Sequence, residues 1–422
     1  MARTGNAARF FLLPAVAMSL GWGLRGFIGG GPLGAMIPGA MVGLVVSGLL
    51  GQERQAAWLA ACAAVGVGLG GQMTYGQTVG LSLKPETYWW AMLGFAIKGG
   101  VWGLAGGAML GAGILRSFEG WNPRRFLSGL AAMLAATWAG WRLVNAPKLI
   151  YFSDPANKPR EEVWAGLLAG AIAFLVVAAH GPLRRAAWRF ALWGCAGGAL
   201  GFPLGAALQA WGRGLASLQW LDWWKGMELT FGALLGLGFA LAAWRSRGAP
   251  AAGGPPEPGE EAPWAAGLVM AAGAAAVMIG IEYRMPVRFN FSIAAALAPA
   301  AALRSRLVAR QVALTVTAAA FVMDLAENKP GLAGAAGWAV VLAAGGGAAA
   351  WASRERSPRE MFLFLTWAAV AVSWIKTLWP PLLAGPGHLL TETVFVLMAW
   401  LCTRLMQAPY DLAPAGRPAV AS

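Results

Sequence analysis

The chain has 422 residues, of which 58% are hydrophobic and only 12% charged, about half the charged share of an ordinary soluble domain. Long apolar runs recur from end to end, which excludes a soluble enzyme, a disordered chain, a coiled coil and a disulfide scaffold and leaves an all-α, polytopic transmembrane helical bundle. The net charge of +14 falls in short loops between those runs, so it reads as a topology signal, and no nucleic-acid partner is expected.

A span needs about 20 apolar residues. Fourteen segments are candidates: 10–24, 33–51, 56–81, 88–115, 126–144, 163–180, 190–211, 225–244, 264–281, 291–303, 311–323, 333–352, 361–378 and 389–403. The first follows Arg3 and Arg9, reads as an uncleaved helix rather than a signal peptide, and joins the second through the Gly-rich bend at 26–32. Segments 291–303 and 311–323 are short, and without that pair twelve spans remain. With the N-terminal side taken as inside, inner loops and termini carry 19 of the 32 cations, outer loops nine, and the spans themselves four. That bias places both termini in the cytoplasm, with the protein in the plasma (cytoplasmic) membrane.

Residues 245–263, RSRGAPAAGGPPEPGEEAP, read as a flexible linker between a module at 1–244 and a second at 264–422. Gly supplies 43 of the first 244 residues and 16 of the remaining 178, so the first module's helices are expected to approach most closely. Gly rows recur at near-four spacing: Gly30, Gly34, Gly39 and Gly43; Gly99, Gly103, Gly107 and Gly111; Gly194, Gly198, Gly201 and Gly205. A cation followed by an aromatic and a Gly row recurs at Arg25, Lys98, Arg160 and Lys225, which suggests repeated hairpins, although Gly-rich sequence also produces such patterns by chance.

Two GxGxxG matches, at 21–26 and 66–71, lie inside membrane segments, where the strand and helix of a dinucleotide fold have no place. His180 and His388 fall at opposite ends of the bundle, and Cys62, Cys195 and Cys402 lie in separate spans. No metal site and no cofactor is expected from them.

Ionisable groups inside a membrane cost several kcal/mol and are functional candidates by default. Lys98 is the clearest, about ten residues into its span. Lys225 and Glu228 share a helix face, Arg142 and Lys376 precede outer ends, and Glu392 follows one. Loop 145–162 adds Asp154, Arg160, Glu161 and Glu162 with Tyr151 and Phe152, a composition suited to a lid. Together with Arg25, these groups are expected to meet in one wet, cationic, outward-facing cavity. Such a cavity fits a transporter or flippase for an anionic small molecule or lipid-linked amphiphile, with Arg25, Lys98 and Lys225 neutralising the anion and Glu228 or Glu392 carrying a proton. An integral membrane transferase acting on a lipid-linked phosphate at the outer face is the alternative, with Asp154, Glu228, Glu282, Asp324 or Glu327 as base. A structural subunit that offers its Gly faces to partner helices is the third reading. Membrane lipids are expected partners in each, and the Gly faces also leave an oligomer open.

Overall fold

A computed structural model describes residues 2–26, 28, 30–73, 75–118, 120–154, 161–180, 184–247, 290–303, 305–328, 334–378 and 385–407. The described residues contain helices and no strand. Helices satisfy every backbone group internally, as an apolar solvent demands.

The first half of the chain holds α1 (Ala2–Arg25), α2 (Gly31–Leu49), α3 (Ala56–Gly70), α4 (Gly76–Ser82) and α5 (Tyr88–Ile114). It continues with α6 (Pro123–Gly140, extended by a π-helical turn to Asn145), α7 (Trp164–Ala178), α8 (Arg184–Arg213) and α9 (Trp223–Ser246). The second segment supplies α10 (Asn290–Ala302), then α11 (Arg306–Arg310), which runs through a π-helical turn into α12 (Thr317–Asn328). It ends with α13 (Ala335–Ala352), α14 (Pro358–Leu378) and α15 (Pro386–Gln407).

Eight described helices are long and apolar enough to cross a membrane: α2, α5, α6, α8, α9, α13, α14 and α15. The other six sequence candidates are not among these eight described helices. Segment 56–81 is broken after Gly70, where Gly71 lies directly against the backbone of Gly31 and Pro32 at the start of α2 and Gln72 begins a polar stretch. α7 is only 15 residues long. With 13 residues, α10 is about 20 Å long at 1.5 Å per residue, well short of a bilayer core. Segment 311–323 extends into its polar flanks as α11 and α12. Segment 264–281 and most of the linker lie outside the described residues.

Six helices form a closed ring in the order α1, α2, α3, α5, α8, α9, each packed on the next and α9 packed back on α1. Neighbours run antiparallel throughout. Gly99, Gly103, Gly107 and Gly111 of α5 meet Gly198, Gly194, Phe190 and Ala187 of α8 in reverse order. Gly201 and Gly205 of α8 rest on Phe231 and Met227 of α9, and Gly232 and Gly236 of α9 rest on Ser19 and Pro14 of α1. In each pair the missing Cβ lets backbones approach within van der Waals contact, the membrane counterpart of core burial. The α6–α7 hairpin packs outside the ring on α5. Helices α10 and α11 lie on α3, while α14 and α15 lie on α2 and α1.

Caps fix where the ring helices begin. Pro32 opens α2, and Asp222 caps α9 by accepting from the Lys225 backbone N–H at 3.1 Å. That cap holds the Lys225 side chain in the first turn of α9.

Candidate functional site

Arg25 is the last residue of α1 and projects into the ring, where it is 3% exposed. Its guanidinium carbon lies 5.0 Å from the ring centre of Trp22, 5.1 Å from that of Trp102 and 5.6 Å from that of Tyr75. Trp22 is one turn back on α1, Trp102 sits near the middle of α5, and Tyr75 belongs to the break between α3 and α4. Phe202 of α8 and Phe231 of α9 complete the wall, with Phe231 at 4.4 Å from Trp22 and Phe202 at 5.2 Å from Tyr75. The Trp102 indole N–H donates to the Val67 carbonyl at 2.7 Å, which fixes one side of the box.

The guanidinium is poorly satisfied. Nη2 reaches the Gly31 carbonyl only at 3.4 Å, while Nε and Nη1 are buried with no hydrogen-bond partner. Trp22 Nε1, in the same box, is also buried and unpaired. Arg cannot shed its proton in a protein, so burial cannot be relieved by neutralisation. Three aromatic faces return about 0.5–2 kcal/mol each, less than the desolvation of an ion.

The carboxylate beside this box is already engaged. Glu228 pairs with Lys225 at 2.5 Å and accepts from Tyr75 Oη at 2.9 Å and Trp224 Nε1 at 3.0 Å. Gly26 passes so close that a methyl there would strike the Lys225 ammonium. Lys225 is paired with Glu228, and among the described residues Arg25 makes no ion pair. Glu392 of α15 borders the group: its Oε1 accepts from Thr377 at 2.7 Å and Ser373 at 2.8 Å, its Oε2 is buried without a partner, and Lys225 and His388 act on it electrostatically.

Lys98 belongs to a second centre. It pairs with Glu162 at 2.7 Å and donates to Thr78 Oγ1 at 2.9 Å, with both ions about 1% exposed. Glu162 also accepts from the Phe152 backbone N–H at 3.0 Å and from Ser153 Oγ at 3.1 Å, and Thr78 donates to the Phe152 carbonyl at 2.8 Å. Phe152, Ser153 and Glu162 are thereby tied to α4 and α5, with Phe152 fully buried against Gly94 and Trp90.

The single wet cavity expected from sequence is therefore two closed centres, divided between Tyr75 and Thr78 at either side of the start of α4. Lys98 is neutralised by a protein carboxylate and is not the free cation. Arg142 is exposed on the far face of the α6 extension, because Trp141 and Asn145 take the buried side of that turn. Asp154 pairs at the surface with Lys84 at 3.3 Å. Lys376 is half-buried next to Thr377, on the same helix as the Glu392 donors. Arg160 and Glu282 lie outside the described residues, as do the side chains of Asp324 and Glu327. Among the described residues no three His, Cys, Asp or Glu side chains converge as a metal site.

Sequence reasoning missed Tyr75, Trp22 and Trp102, and it named Glu162 in the loop without pairing it to Lys98. Trp22 is three residues before Arg25, a helical spacing that carried the signal; Tyr75 and Glu162 come from irregular segments with no period to read.

Next to this centre an open cleft of about 380 Å³ is lined by Arg213, Gln219, Leu221, Asp222, Trp223 and Trp224. Trp224 faces that cleft and also donates to Glu228, so one indole stands between solvent and the Arg25 box. No protein-family model, curated protein or solved structure matches the chain.

Proposed function

We propose that this is a multi-pass transporter for an anionic, amphiphilic solute, with Arg25 as the residue that binds the anion. The observation that carries this reading is a buried guanidinium with two unpaired N–H-bearing nitrogens inside an aromatic box. A permanent cation inside a membrane protein needs a counter-ion, and among the described residues no carboxylate forms an ion pair with Arg25. A carboxylate or phosphate headgroup supplies the charge, and the rings of Trp22, Trp102, Tyr75, Phe202 and Phe231 suit an apolar tail. The ring interior is packed shut by these aromatics, which is the occluded stage of an alternating-access cycle. Movement of Trp224 opens it to the cleft beside Asp222.

Glu392 is better suited than Glu228 to a coupling proton. Glu228 is held by three donors, whereas one Glu392 oxygen is buried and unpaired and gains a partner only when a proton or cation arrives. The same engagement of Glu228 weighs against the transferase reading, because a general base must be free to leave its hydrogen bonds. The excess of Arg in alternate loops supports a cytoplasmic-membrane location with both termini cytoplasmic.

The test is uptake by proteoliposomes of octanoate and octyl phosphate. Wild-type protein is expected to accumulate at least one of them, and Arg25→Gln to lower uptake about a hundredfold, the loss of a buried charged hydrogen bond worth ~3 kcal/mol. Arg142→Gln, on the exposed face of α6, should transport as wild type. Equal uptake by Arg25→Gln and wild type would overturn the assignment.

A further inference from the structure

Gln209 of α8 is a fully buried glutamine whose amide is unused. It is 0% exposed, and both Oε1 and Nε2 lack a hydrogen-bond partner. Among the described residues Gln311 is the other glutamine without exposure, and it is satisfied at both ends. Its Nε2 donates to the Ala349 carbonyl at 3.1 Å and to Ser353 Oγ at 3.2 Å, and its Oε1 accepts from Thr315. A buried amide with neither atom bonded gives up its hydration and gains nothing in exchange. Gly, Ala and Phe make up the rest of the buried face of α8, so a leucine or methionine at position 209 would continue that face without the cost.

The place of Gln209 in α8 lies between the aromatic box and the cleft. Phe202, a wall of the box, is seven residues earlier, hence on the same face and about 10 Å away along the axis. Arg213, on the rim of the cleft, is four residues later. Gly205 and Gly212 rest on Met227 and on the Trp223 ring, so this stretch of α8 lies against the first turns of α9. On the α9 side Trp224 bridges the same interval: it lines the cleft, and its ring centre is 5.6 Å from that of Tyr75 in the box. Side chains tilt toward the N-terminus of their helix, which for Gln209 is the direction of the box.

We propose that Gln209 is a specificity-determining residue that reads a neutral amide group on the anionic solute. This rests on Arg25 as the anion-binding residue and adds a second polar point to the solute. A glutamine amide offers an acceptor and two donors, so its complement is a group that carries both kinds. A primary amide does, an alkyl chain carries neither, and a second anion carries acceptors alone. With the anion at Arg25 and the amide at Gln209, the apolar part of the solute lies between them along Phe202. A solute that ends in plain hydrocarbon leaves the Gln209 amide unpaired, which is how a polar pocket rejects it.

The test is binding of two ligands to full-length protein in detergent, followed by thermal shift and tryptophan fluorescence. The ligands are octanoate and the monoamide of suberic acid, the same chain ending in a primary amide instead of a methyl group. Wild-type protein is expected to bind the monoamide at least tenfold more tightly than octanoate, and Gln209→Met to bring the two within about twofold. Gln209→Met replaces an unpaired amide with an apolar chain of similar shape, so the variant should fold and melt no lower than wild type. A side chain that only packs would move both affinities together and keep their ratio. Arg25→Gln should weaken both ligands and retain the preference for the monoamide. Unchanged octanoate binding in Arg25→Gln, with the preference still dependent on Gln209, would defeat the anion assignment and support the amide site. Equal affinities in wild type, binding of neither ligand, or a preference that survives Gln209→Met would overturn the proposal.

Discussion

Lys98→Met is expected to lower the unfolding free energy by about 3–5 kcal/mol, the cost of leaving one ion of a buried pair alone. The Glu162 carboxylate left behind is 1% exposed and keeps only Ser153 Oγ and the Phe152 N–H as donors. Glu162→Gln should cost somewhat less, because an amide can keep one of those contacts. The double variant Lys98→Met/Glu162→Gln removes both charges and should recover most of the loss, giving a coupling energy above about 2 kcal/mol in a double-mutant cycle. Chemical unfolding in detergent measures all four corners. Additive single effects would show that the pair does not hold the loop, and that Lys98 is free to serve a ligand after all.

Gly103→Val should be more disruptive still. A Cβ at Gly103 would sit inside the contact radius of the Gly194 carbonyl oxygen, and both neighbours are backbone, so neither can rotate away. The α5–α8 contact must open along its length, since Gly99 and Gly107 face α8 backbone in the same way. Overpacking of this kind costs about 1–3 kcal/mol or more for each added group, and loss of the folded protein is the expected outcome. Gly346→Ala is the internal comparison: it lies on α13 with open space around it and should be neutral or gain about 0.5 kcal/mol. Size-exclusion profiles and thermal melts of the two variants separate a packing role for the glycines from a mere preference of Gly-rich sequence. A folded Gly103→Val protein with an unchanged melt would contradict the six-helix ring.

Helical class, the Gly rows and the cost of charge inside the membrane are all short-range properties, and they were legible. Apolar runs report burial directly, and Gly99 to Gly111 keep one face of α5 regardless of what packs there. Partners were not legible, because pairing is decided by the chain's return path. Lys98 meets Glu162 across 64 positions, and Tyr75 meets Glu228 across 153. The commonest place of tryptophan in membrane proteins is the interface, yet Trp22 and Trp102 are fully buried around Arg25. Segment 56–81 contains no charge, and its uncharged polar stretch from Gln72 to Thr78 was passed over as part of one span. The stop coincides with that stretch, and Gly71 there lies against the backbone of Gly31 and Pro32 at the start of α2.

The most direct measurement is a density map of the lipid-embedded protein at the Arg25 box. Non-protein density within about 3 Å of Arg25 Nε or Nη1, lost in a map of Arg25→Gln, is the expected result. A guanidinium whose Nε and Nη1 both bond to protein oxygens, with the space between Trp22 and Trp102 filled by side chains alone, would contradict anion binding at this position.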